Sequence, residues 1–144
     1  MKKELLMIAL CVGMVACGND NAKNESKAEK QMKKDVVEVL YFHGKQRCAT
    51  CIAIEKNTKD LIDSTFAERL NNGELVFKSV DITKEEALAD KYEVSWSSLI
   101  IVDYDKSGKE EVTNLTEFAF GNARTNSDKF KNGVAEQINT MLNN

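Results

Sequence analysis

Two cysteines separated by two residues stand in the segment His43-Gly44-Lys45-Gln46-Arg47-Cys48-Ala49-Thr50-Cys51. The chemistry open to such a pair is thiol–disulfide exchange, in which the thiolate is the reactive form. With this spacing the second sulfur can reach the first and release a mixed disulfide. If a helix starts here, Cys48 lies beside N–H groups that have no partner within the helix, and the macrodipole there favours a thiolate. Arg47 and Lys45 add positive charge, which is expected to lower the first thiol's pKa further. Three readings of the pair stand side by side: redox catalysis, a structural disulfide, and metal binding. In the metal reading His43, the only histidine, would join Cys48 and Cys51 around a soft cation. As a satisfied residue at a strand end it would have no such role. No fourth ligand is evident, so neither a metal nor any other cofactor is expected.

The elements around this segment must place it at a strand-to-helix junction. Residues 36–42, Val-Val-Glu-Val-Leu-Tyr-Phe, are β-branched and aromatic with apolar residues on both sides, as in a strand buried on both faces. Ile54, Thr58, Leu61, Ile62, Thr65, Phe66 and Leu70 then recur at helical spacing, and Asn71-Asn72-Gly73 closes that helix. A second strand is predicted over residues 74–81. Thr83-Lys84-Glu85-Glu86 reads as a capping box for a short helix that buries Leu88 and Tyr92. A third strand covers residues 99–102, Asp105-Lys106-Ser107-Gly108 is a hairpin turn signal, and a fourth strand covers residues 111–120. From about residue 127 a last helix carries Phe130, Val134, Ile138, Met141 and Leu142 in one stripe. The order is β-α-β-α-β-β-α, with the first two strands parallel because a crossover joins them.

This ordered set resembles the thioredoxin superfamily over residues 36–142. It comprises a strand, Cys48-Ala49-Thr50-Cys51, a helix, Val80-Asp81-Ile82, Leu88-Ala89-Asp90-Lys91-Tyr92-Glu93-Val94, the Leu99-Ile100-Ile101 strand and the Gly108-Lys109-Glu110 turn. The resemblance implies an α/β fold with a central mixed four-stranded sheet flanked by helices. It also implies that Cys48 is the exposed nucleophile and that Cys51 resolves the mixed disulfide. Two departures accompany it. Six residues before Cys48, where thioredoxins proper carry a buried acid, this chain has Phe42. The family's cis-proline before the third strand is also missing. Ser97 is its nearest counterpart, which makes Ser97 and the neighbouring Trp96 the candidate substrate-binding residues.

The loss is part of a wider bias. The 144 residues contain no proline, where about seven would be usual. A net charge of −3 gives no basic surface for nucleic acid. Lys2-Lys3 followed by the apolar run of residues 5–16, too short to span a bilayer, reads as a signal peptide. Its end, Met14-Val15-Ala16-Cys17-Gly18, resembles the lipobox of bacterial lipoproteins, which implies lipidation of Cys17. Residues 17–35 are then a polar tether with a reach of roughly 20–25 Å, and residues 36–144 form the thioredoxin-like domain. The combined expectation is a membrane-tethered thiol:disulfide oxidoreductase of the bacterial cell envelope, extracytoplasmic, leaning towards reduction. Its expected partners are disulfide or thiol substrate proteins and an electron donor or acceptor, with no nucleic acid. A metal-delivery module and a non-catalytic interaction domain are the alternatives.

Overall fold

The computed structural model describes residues 36–105 and 107–144. The strands are β1 (Val37–His43), β2 (Leu75–Asp81), β3 (Ser98–Tyr104) and β4 (Glu110–Asn114). The helices are α1 (Ala49–Thr65), α2 (Ala67–Asn71), α3 (Glu86–Lys91), α4 (Thr116–Asn122) and α5 (Ser127–Leu142). The sheet order is β2-β1-β3-β4. β1 and β2 are parallel, from Val37 opposite Leu75 to His43 opposite Asp81. β1 and β3 are antiparallel, with Tyr41 opposite Leu99, and so are β3 and β4. This is the mixed four-stranded sheet flanked by helices that the sequence implies.

Because side chains alternate along a strand, β1 feeds two cores. Val37, Val39 and Tyr41 face α1 and α5, packing with Ile54, Ile62, Phe130, Val134 and Ile138. Leu40 and Phe42 face the other way, with Val80, Ile100 and Val102 under Ala89 of α3. The central strand, the α1 face and the α5 stripe thus match their sequence patterns.

Four local expectations need correction. The helix predicted through Leu70 divides at Phe66, whose φ of −115° and ψ of 19° end α1. Ser64 Oγ donates to the Asp60 carbonyl oxygen at 2.6 Å, the kind of local bond that competes with the helix ladder. Thr65, expected on the apolar stripe, is exposed. Thr83 does not cap α3: its N–H and hydroxyl both donate to Asp81 Oδ1, at 3.0 and 2.8 Å. Finally, the fourth strand stops at Asn114, where Asn114 Oδ1 accepts from the Thr116 N–H at 2.9 Å and turns the chain into α4. Thr116 Oγ1 in turn accepts from the Leu99 N–H at 3.1 Å.

Candidate redox site

The junction predicted between β1 and α1 is present, and Cys48 is its N-cap, with extended backbone at φ −73° and ψ 163°. Its Sγ accepts from the Cys51 N–H at 3.1 Å, so the sulfur occupies the place of a capping oxygen on one of the unpaired N–H groups. The two cysteines are joined in a disulfide with their Cα atoms 5.0 Å apart. Cys48 is exposed while Cys51 is only 6% exposed. An external thiolate therefore reaches Cys48 and not its partner.

Beneath the disulfide lies a residue that the sequence reading missed. Tyr41 is fully buried, and its hydroxyl donates to the Cys51 carbonyl oxygen at 2.8 Å. Burial raises its pKa, and the Arg47 guanidinium and Ser97 hydroxyl against the phenol pull the other way. Phe42, at the position of the family's buried acid, instead points to the opposite face of the sheet.

Arg47 sits beside Cys48, but its charge is already engaged. The guanidinium donates to the Glu55 carboxylate and lies 5.6 Å over the Tyr41 ring centroid. Glu55 also accepts from the Ser79 hydroxyl on β2. Burial works to raise the Glu55 pKa, but the bonds from Ser79 and Arg47 outweigh it and hold the carboxyl below its ordinary value. Neither Tyr41 nor Glu55 has a motif around it. Their only signals are register, with Tyr41 next to the strand end and Glu55 one turn beyond Cys51.

The remaining predicted residues are dispersed around this centre. Lys45 is exposed in the loop. His43 ends β1 with Nδ1 3.1 Å from the Gly44 carbonyl oxygen and its ring stacked 6.0 Å from Tyr41. Among the described residues, with Cys48 and Cys51 joined in the disulfide, no group of three or more His, Cys, Asp or Glu side chains is placed to hold a metal ion. Ser97 is buried at the entry to β3, and Trp96 before it is 58% exposed. The indole lies 5.3 Å from the Phe120 ring, an aromatic from α4 that the sequence reading had placed in a strand. Cys17 and the leader lie outside the described residues.

No family model and no curated protein matches this chain. Among solved structures it is similar to ERdj5 form I, at 10% identity over 74% of this chain and 13% of that one, with a TM-score of 0.50. It is also similar to the thioredoxin of Fasciola hepatica, at 21% identity over 75% of this chain and 83% of that one, with a TM-score of 0.47. A third similar structure is thioredoxin-2 of the malaria parasite, at 26% identity over 56% and 65% of the respective chains and a TM-score of 0.37. The β2-β1-β3-β4 mixed sheet with helices on both its faces is a thioredoxin-like α/β fold, with a Cys48-x-x-Cys51 disulfide where its first helix begins.

Proposed function

We propose that this protein is a thiol:disulfide oxidoreductase tethered to the bacterial cell envelope, with Cys48 as nucleophile and Cys51 as resolving thiol. The observation that carries the reading is the asymmetry of the pair: an exposed Cys48 at the helix start and a buried Cys51 behind it. In the reducing direction the Cys48 thiolate attacks a substrate disulfide, forming a mixed disulfide and releasing one substrate thiolate. Cys51, as thiolate, then attacks Cys48 Sγ, closing the internal disulfide and releasing the second substrate thiolate. The substrate gains two electrons, the protein dithiol loses them, and an external thiol donor restores it. Ala49-Thr50 places no charge or imidazole between the sulfurs, which supports the reducing direction. Its substrate-binding residues in this reading are Trp96, which is exposed, and Ser97, whose hydroxyl lies against the Tyr41 phenol.

The test is trapping with Cys51→Ser in envelope extracts. Captured mixed-disulfide partners are expected, together with turnover of glutathione disulfide or insulin by the unaltered protein. Failure of both, with Cys48 unreactive to alkylation, would overturn the assignment and leave a disulfide that only braces α1. A potential near the oxidising extreme of about −120 mV would reverse the direction. The anchor is supported by the apolar run and Cys17. Cys17→Ser is expected to move the protein from membrane to soluble fractions, and an unchanged distribution would remove the lipid from the proposal.

A further inference from the structure

An arginine immediately before a reactive cysteine ordinarily stabilises its thiolate, and through it the dithiol state. Here that charge is held elsewhere. Arg47 gives its guanidinium to Glu55, and both side chains are about three-quarters buried, at 26% and 25% exposure, where a pair is screened less than at the surface. Glu55 is fixed from two elements, its own helix and Ser79 on β2, so it does not swing with Arg47. Arg47 Nε is buried without a hydrogen-bond partner among the described residues, a mark of how far the guanidinium has been drawn in. The other ionisable groups near the pair are Tyr41 under the guanidinium and His43 at the end of β1, with Lys45 exposed in the loop.

We infer that Glu55 is a positioning residue that withdraws the Arg47 charge from Cys48, making the Cys48–Cys51 disulfide harder to reduce than it would be beside a free arginine. The inference rests on Cys48 being the reactive thiol, and it supplies a structural basis for the reducing direction.

The measurement is the equilibrium in which the protein disulfide and two glutathione thiols exchange to protein dithiol and glutathione disulfide, read alongside the alkylation rate of Cys48 at one fixed pH. Glu55→Gln is expected to shift the equilibrium ~10-fold towards the dithiol, equivalent to about 30 mV, and to speed alkylation. Arg47→Gln leaves an uncompensated carboxylate and is expected to shift both quantities the opposite way. The double variant Arg47→Gln/Glu55→Gln should return to within about twofold of the unaltered protein, as a coupled pair requires. Shifts of the same sign in both single variants would show a structural brace and overturn the inference, as would no shift in either. Because neither measurement needs a substrate protein or turnover, this outcome is separable from failure of the trapping experiment.

Discussion

The Tyr41 hydroxyl donates to the Cys51 carbonyl oxygen across 2.8 Å, joining the C-terminal half of the central strand to the first turn of the helix that carries the disulfide. The bond is fully buried, so its loss is not made good by water. Tyr41→Phe is expected to lower stability by about 1–1.5 kcal/mol. The check is a reduced denaturation midpoint with an unchanged denaturant slope, and an unmoved midpoint would show that the hydroxyl contributes nothing.

Alkaline pH should unfold the protein through its tyrosines. Burial raises Tyr41, Tyr92 and Tyr104 above the ordinary 10.0, and the Glu110 carboxylate adds to the effect at Tyr92 and Tyr104. A folded pKa above the unfolded one means that the native state holds its protons more tightly. The resulting stability is complete below the unfolded value of about pH 10 and is lost as pH rises beyond it. Tyrosinate absorbance and loss of circular dichroism should therefore appear together. Tyrosinate rising near that pH with native dichroism retained would contradict this.

Gly133 is required by its neighbour. A Cβ at this position of α5 would overlap the Phe118 ring of α4, itself stacked on Phe130 with ring centroids 6.3 Å apart. Gly133→Ala is expected to cost about 1–3 kcal/mol through overpacking, less up to ~1 kcal/mol from better helix propensity. Thermal unfolding of Gly133→Ala with and without Phe118→Leu provides the check, since the second change should restore most of the loss.

Asn126 caps α5, its Oδ1 accepting from the Lys129 N–H at 3.0 Å. Asn126→Ala should cost about 1 kcal/mol and Asn126→Asp very little. Equal losses in the two variants, measured by chemical denaturation, would show that the cap is not the source.

Trp96, exposed beside Phe120, should matter more to partners than to folding. Trp96→Ala is expected to change stability by less than about 1 kcal/mol and to slow mixed-disulfide formation with a captured partner about three- to tenfold, the scale of one aromatic contact. Unchanged capture kinetics would remove Trp96 from the binding surface.

Much of this architecture was legible because it follows from period. The apolar run of residues 36–42 specifies a strand buried on both faces, and the i, i+4 stripe from Phe130 to Ile138 a helix and its buried face. The strand run before Cys48 and the helical spacing from Ile54 likewise place a strand-to-helix junction at the cysteines. What stayed hidden depends on contacts between distant segments. Nothing local pairs Arg47 with Glu55 or brings Ser79 from β2 to the same carboxylate. The turn at Asn114 was hidden for another reason: it is made by one side-chain bond to backbone that apolar patterning does not register.

The direction of β1 has an orientational consequence. The described chain enters the domain at Val37 and reaches the disulfide loop only after His43, a run of about 20 Å at the usual rise per residue. Any attachment upstream of residue 36 therefore pulls on the pole remote from Cys48. A domain attached there would keep its disulfide clear of the attachment point whichever way it turned.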